Sequence, residues 1–499
     1  MLPDASTLGV AVLRRRGPAA GLLVVALALA GCTVGPDWVA PTAEVPAHWH
    51  ASADGRTAAL GEWWRDFRDP LLDELIEQAV AGNLDVAAAR ARIREARALA
   101  RQAGAAQLPS LDASGSATRA RARNTSTGDM VVSDLFRGGF DASWEIDLFG
   151  ANARTAEAAT ANLAATEADL DSTLLTLVGD VASTYVEVRS DRARIALARR
   201  TAESQRKTAA LTRTKFDAGS ASAVDTAKAE AAAASTEAGI PSLETAVAEA
   251  IHRLSILTGR EPGALAERLR RDGAIPMPRR SLPAGVPAAV IAQRPDVRAA
   301  EHRLAQATAK LGASEAAMWP SISLSGSIST SASKIGDLSK ASSVAWSWGP
   351  SVSIPIFEGG RLEAARDAQA AVRDQTFVAW RASVLTALGD VENALVALSG
   401  ERARSAKLAA ATASYRRATT LSRTLYESGT ASFLDVLDAE RSLYSAEDML
   451  IQSRAAIAND HVSLAKALGG GWRRPVDVSK PDVVDGYTGP RPAVPAILR

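Results

Sequence analysis

The chain has 499 residues, 47% of them hydrophobic but only 5% aromatic, and its 57 Lys and Arg balance 56 Asp and Glu to a net charge of +1. So even a balance gives no electrostatic footprint for nucleic acid. Cys32 is the only cysteine, so no intrachain disulfide is possible and stability must come from packing.

Arg14, Arg15 and Arg16 precede an apolar run from Gly21 to Ala30 that is too short to span a bilayer and ends in small residues. Residues 1–31 therefore read as a secretory signal peptide. Its end, Leu29-Ala30-Gly31-Cys32, resembles a bacterial lipobox, which would make Cys32 the acylated first residue of the mature chain. Removing residues 1–31, with three arginines and one aspartate, leaves a net charge of −1. Residues 32–70 form a proline-interrupted extended segment.

A first structural repeat is expected over 71–260 and a second over 295–468. Residues 215–230, KFDAGSASAVDTAKAE, return at 425–440 as LYESGTASFLDVLDAE, an offset of about 210 that aligns Gly219 with Gly429, Ser222 with Ser432, Asp225 with Asp435 and Glu230 with Glu440. Gly179-Asp180-Val181 likewise returns as Gly389-Asp390-Val391, and Asp85-Val86 as Asp296-Val297.

Within each repeat, short strands precede a long helix. Strands are expected at 111–123, 139–149, 321–331 and 343–357. Val344, Trp346, Trp348, Val352 and Ile354 alternate with Ala345, Ser347, Gly349, Ser351 and Ser353, as Phe140, Trp144, Ile146 and Leu148 do with Asp141, Ser143, Glu145 and Asp147. This period of two fits a transmembrane barrel with its apolar face to lipid and with Asp141, Glu145 and Asp147 toward the lumen. A soluble sheet with one buried face is the alternative. Phe149, Trp319 and Phe357 suit an interfacial girdle or simple packing. Four strands cannot close a barrel in lipid, so the barrel must be shared between copies.

Rods follow at about 151–214 and 361–424, each close to 100 Å long at ~1.5 Å per residue. Leu163, Leu170, Leu174, Leu177, Val181, Val188 and Ile195 recur at the near-heptad spacing of helices that pack side by side. Each rod ends in a glycine turn at Gly219 or Gly429, and Ser222 and Ser432 cap the return helices. Gly239-Ile240-Pro241 should kink or end the first return helix. The proline-rich stretch 261–294 links the repeats, and 469–499 forms a similar tail.

Nothing in the chain reads as catalytic. His48, His50, His252, His302 and His461 are scattered without metal-ligand spacing, and no phosphate loop, nucleophile elbow or dinucleotide fingerprint occurs, so no metal and no cofactor are expected. A periplasmic adaptor would carry one hairpin and no paired barrel strands, and the duplication argues against it. A type I secretion duct would share the fold and differ in client.

CTVGPDWVAP from Cys32, WWRDFRDPLLDELIEQAVAGNLDVAAARARIREA from Trp63, LPAGVPAAVIAQRPDVRAAEHRL from Leu282 and GPSVSIPIFEGGR from Gly349 resemble the NodT branch of the TolC-like outer-membrane efflux proteins. The resemblance implies a mixed α and β membrane protein: a trimeric twelve-stranded outer-membrane β-barrel, four strands per chain, continued by a long periplasmic α-helical barrel. It implies the exit duct of a tripartite efflux pump that passively conducts drugs or other toxic small molecules. The implied partners are two further copies of the chain, a periplasmic membrane-fusion adaptor, an inner-membrane transporter commonly of the resistance-nodulation-division class, and outer-membrane lipid through acylated Cys32. Phe216, Gly219, Ser222, Tyr426, Gly429 and Ser432 match the hairpin tips at which the family meets its adaptor. Leu434, Asp438 and Arg441 match residues lining the narrowest part of the resting duct, so the resemblance makes them a periplasmic gate.

Overall fold

In the computed structural model, which describes residues 33–51, 60–123, 125–271, 273–472 and 474–479, one order of elements occurs twice. After a short 3-10 turn (Trp63–Phe67) come α1 (Pro70–Gly82), α2 (Leu84–Ala105), β1 (Ser110–Arg123), β2 (Met130–Ile146), α3 (Ala151–Asp217), α4 (Ala223–Ala238) and α5 (Ile240–Leu257). Two short helices, α6 (Ala266–Leu269) and α7 (Pro287–Gln293), precede α8 (Pro295–Ala316), β3 (Ser321–Ala332), β4 (Val344–Ser353), α9 (Arg361–Glu427) and α10 (Phe433–Ala467). Cys32, the signal region 1–31 and the tail from 480 onward lie outside the described residues.

The recurring sequence landmarks are helix starts and cross-helix ties. Asn83 caps α2 by accepting from the amides of Asp85 and Val86 at 2.9 and 3.1 Å. In the second copy Arg294 precedes α8 and clamps Asp296 and Asp390 at 2.7 and 3.0 Å. Asp180, which aligns with Asp390, pairs with Lys466 at 3.2 Å. Both long helices, α3 and α9, run 67 residues, about 100 Å each. The first return helix ends at Ala238 and restarts at Ile240, as Gly239 and Pro241 require.

The described residues divide into two compact units, one comprising 33–39 with 98–161 and 305–375, the other drawn from 40–97, 162–304 and 376–479. The first holds a four-stranded antiparallel sheet in the order β1-β2-β3-β4. Directly paired residues share a face. The register aligns Ile146, Ile322 and Val352, then Trp144, Leu324 and Pro350, then Phe140, Ile328 and Trp346 on one face. Asp141, Ser143 and Glu145 sit with Ser327, Ser325 and Ser323 on the other. Hydroxyls of paired serines meet across that face, Ser323 with Ser351 at 2.7 Å and Ser327 with Ser347 at 3.0 Å.

Two strands depart from expectation: β4 stops at Ser353, four residues before the expected 357, which leaves Phe357 beyond the strand, and β2 differs at both ends. β2 starts at Met130, nine residues before the expected 139, and pairs along its whole first half with β1. It stops at Ile146, so Asp147 is not a lumen residue of the strand. Its carboxylate accepts the Ala153 amide at 2.7 Å and caps the start of α3. Phe149 stacks on Trp319 at 5.2 Å beside it.

The second unit is helical, and its core explains the leucine spacing. Leu170, Leu174, Leu177, Val181, Val188 and Ile195 of α3 are buried with Leu72, Leu75 and Ile76 of α1, Leu254 of α5 and Leu464 of α10. Each such side chain contributes roughly 1.5–3 kcal/mol by leaving water. Trp64 stacks on Trp472 with centroids 6.2 Å apart and rings within 7° of parallel. The buried Tyr185 hydroxyl donates to Asp69 at 2.6 Å, and Asp69 in turn caps α1. Arg189 donates to the same phenol oxygen at 2.7 and 2.8 Å, so rod α3 and the start of α1 are fixed together.

Candidate functional site at the hairpin tips

Both rods stop by the same mechanism. Gly219 and Gly429 take left-handed φ values of 76° and 78°, open to solvent on the side where a Cβ would point. The Ser220 amide reaches back to Lys215 O at 2.8 Å and the Thr430 amide to Leu425 O at 2.9 Å, the six-to-one closure of a helix end. Ser222 and Ser432 then open α4 and α10 with reciprocal capping boxes to Asp225 and Asp435. Hydrogen bonds from Ser432 hold the Asp435 carboxyl below the usual carboxylate range.

The aromatic residues at the two tips are not equivalent. Phe216 is partly exposed, with the Arg213 guanidinium 5.9 Å from its ring centre. Tyr426 was expected to present its ring to a partner, yet it is only 5% exposed. It packs with Phe433, Val436, Leu437, Ala229 and Ala232. Its hydroxyl donates to Thr212 on the first rod at 3.1 Å, and Lys215 lies 5.0 Å over its ring. Tyr426 thus binds one hairpin to the other, and the surface left at the tips is made by Phe216, Val224, Leu434 and the serine hydroxyls.

Leu434, Asp438 and Arg441 are all exposed on α10. Among the described residues neither Asp438 nor Arg441 forms an ion pair within the chain, so the ordinary helix-surface pair between them is not formed. The neighbouring carboxylate Glu440, 6% exposed, does pair. It takes Arg423 from α9 and the Thr208 hydroxyl from α3 at 2.9 Å, while Arg423 also reaches Ser204. Three helices meet at this one side chain. Sequence alignment of the copies marked Glu440 through Glu230 but gave it no task, because nothing in a single helix pattern says which acidic residue faces inward.

Asp141 and Glu145 lie on the serine face of the sheet, exposed within the chain.

The outer membrane efflux protein family model matches residues 75–260 and again 286–470. The chain belongs to the outer membrane efflux protein family. It is 35% identical over 451 residues to Nodulation protein T of Rhizobium leguminosarum bv. trifolii, covering 89% of this chain and 96% of that one. It is 33% identical over 461 residues to the pyoverdine export outer membrane protein OpmQ of Pseudomonas aeruginosa, with 91% and 96% covered. The solved outer-membrane channel OprN superimposes with a TM-score of 0.82 at 33% identity, covering 88% of this chain and all of OprN. This efflux protein therefore has the TolC-like fold and is an outer-membrane exit duct of a tripartite efflux system, sited in the outer membrane of a Gram-negative cell and extending into the periplasm.

Proposed function

We propose that the chain works as a homotrimer whose sheets close into a twelve-stranded barrel, whose hairpin tips dock a periplasmic adaptor, and whose second return helices close the periplasmic end at rest. The observation that carries this reading is the open sheet: among the described residues β1 and β4 each have one edge unpaired, and open edges are not tolerated in lipid. The rod α9 supports it, since Phe377, Val378, Leu385, Val396 and Leu421 are exposed along it, an apolar face suited to a second copy.

With three copies, the exposed Leu434, Asp438 and Arg441 faces come together near the axis. Each Asp438 then finds its cation in a neighbouring chain, because it has none in its own among the described residues. An exposed pair contributes only about 0–1 kcal/mol, so closure rests on repetition around the ring and on the leucines filling the bore. Opening follows when the adaptor draws the hairpins apart. Chemistry at the duct is absent from this scheme: it is not an enzyme, and the inner-membrane transporter supplies the energy while the duct conducts small molecules passively.

Cys32 serves as the lipid anchor. Thr33, the residue after it, packs against Gly150 where β2 passes into α3, and the Val34 amide donates to Phe149 O at 3.0 Å. That junction, with the Phe149–Trp319 stack beside it, is the periplasmic rim of the sheet, so acyl chains on Cys32 would enter the adjoining leaflet.

The double variant Asp438→Ala/Arg441→Ala tests the gate. Trimers of the variant should conduct ions more readily in planar bilayers than wild type, and cells carrying it should become sensitive to large antibiotics. Conductance equal to wild type rejects the assignment.

A further inference from the structure

The lipid-side face of the sheet changes character toward the β1–β2 turn. Up to Ala117 and Phe136 it carries Leu111, Ala113, Phe140, Trp144 and Ile146. The next three register rows pair Arg119 with Asp134, Arg121 with Val132 and Arg123 with Met130. All three arginines stand on the same outward face, since alternate residues of a strand share a side. The opposite face inverts with them, carrying Ala120, Ala122, Val131 and Leu135 where serines and acids stood below.

Height places this ladder. From Ile146 to Phe136 is ten residues, about 34 Å of strand at ~3.4 Å each. Tilted by about 40°, that spans roughly 26 Å, which matches an apolar band about 25 Å tall. The arginine rows begin where that band ends, at the β1–β2 turn and opposite the strand ends that run into α2 and α3, hence at the headgroups of the outer leaflet. Arg119 meets Asp134 at 3.7 Å, an exposed pair. Arg121 and Arg123 are exposed and have no carboxylate within the chain among the described residues. A guanidinium fork can give a phosphate oxygen pair two parallel hydrogen bonds, where an ammonium would offer only a point charge.

We infer that Arg119, Arg121 and Arg123 form a binding ladder for the phosphate groups of anionic outer-leaflet lipid, holding that lipid against β1. Phe136 and Ala117, in the row just below Arg119 on the same face, give the lipid's upper acyl segment an apolar surface beneath the charged one. The inference rests on the proposed barrel and on the sheet register, and it stands or falls separately from the gate.

The test is native mass spectrometry of the purified full-length protein in detergent with added bisphosphorylated lipid A. Each cation at such a surface changes affinity about fivefold, so Arg119→Gln/Arg121→Gln/Arg123→Gln should weaken retention by roughly 100-fold. The triple lysine variant should keep most of it, and Arg137→Gln, on the opposite face of β2, should change nothing. Wild-type protein should hold dephosphorylated lipid A far less well, and inorganic phosphate at millimolar concentration should not displace the lipid. Equal retention by the glutamine variant, an equal loss in Arg137→Gln, indifference to the lipid's phosphates or displacement by free phosphate would each overturn the inference. If the glutamine variant does not assemble, the dephosphorylated-lipid comparison on wild type decides it.

Discussion

The two hairpin turns share six of sixteen residues in register and end in different states. In the first, Ala223, Thr226 and Ala227 follow the turn, Arg213 meets Asp217 on the surface at 3.7 Å, and Glu230 is exposed. In the second, Phe433, Val436 and Leu437 occupy the corresponding positions and are buried, and the counterpart of Arg213, Arg423, turns inward to Glu440. Duplication supplied one backbone solution, two glycine stops and two serine caps. Two larger side chains, Phe433 and Leu437, with Val436 in place of an isosteric threonine, let the second copy clasp the first. The capping residues are therefore common property, whereas the packing residues divide the labour.

The largest separation between the copies is expected at His461, whose counterpart is Ile251. Both are buried, His461 completely, between Trp63 and Phe67 with ring centroids 6.2 and 5.4 Å away. Burial first, and the charge of Arg402 second, lower its pKa from 6.5 to about 4. A base whose folded pKa is depressed favours the folded state fully above the unfolded pKa. As pH falls from 6.5 toward 4 the unfolded chain binds a proton that the folded chain refuses, so stability should drop by about 1.4 kcal/mol per pH unit and about 3 kcal/mol in all. His461→Ile, which gives the second copy the first copy's side chain, should remove that slope from the thermal melting midpoint followed by circular dichroism. An unchanged slope would show that another group carries it.

A smaller contrast should appear at Glu440 and Glu230. Glu440→Gln leaves Arg423 with its charge uncompensated beside Thr208 and Ser204. Because the Arg423 side chain keeps 36% exposure, water softens the loss to about 2 kcal/mol, below the range for fully buried pairs. Glu230→Gln, at a solvated position, should stay within about 0.5 kcal/mol of wild type. Equal effects in urea melts would mean that the clasp contributes nothing that the surface does not.

The smallest effect should also be the most symmetrical. Ser222→Ala and Ser432→Ala each remove a reciprocal cap and should cost about 1 kcal/mol alike. A marked difference between them would show that the second cap is coupled to the clasp below it.

These contrasts mark how far the chain could be read without coordinates. The rods, stops, caps and Gly239–Pro241 break were legible because each depends on local chemistry or on a period sustained over many turns. The start of β2 was not, since Val131 and Val132 are adjacent, Gly138 and Gly139 interrupt the run, and the apolar and polar faces exchange at Asp134, which erases the alternation that marks a strand. Asp147 read as one more polar position in a strand until the chain was seen to leave the sheet one residue earlier. Tyr426 looked like a free ring because exposure depends on what the opposite hairpin places against it, and Glu440 was silent for the same reason. Local grammar survives in one dimension, while the inward or outward sense of a residue on a many-faced helix is set by its neighbours.

The interruption at Gly239 has a mechanical meaning. Pro241 has no amide hydrogen to give, so the first return is made of two pieces of 16 and 18 residues, whereas α10 carries its hydrogen-bond ladder unbroken through 35. Bending stiffness is set by the weakest section of a beam. A sideways load on the first tip is therefore taken up at the Gly239 joint, and the same load on the second tip reaches the far end of its strut. One half of each protomer behaves as a shock absorber and the other as a lever arm.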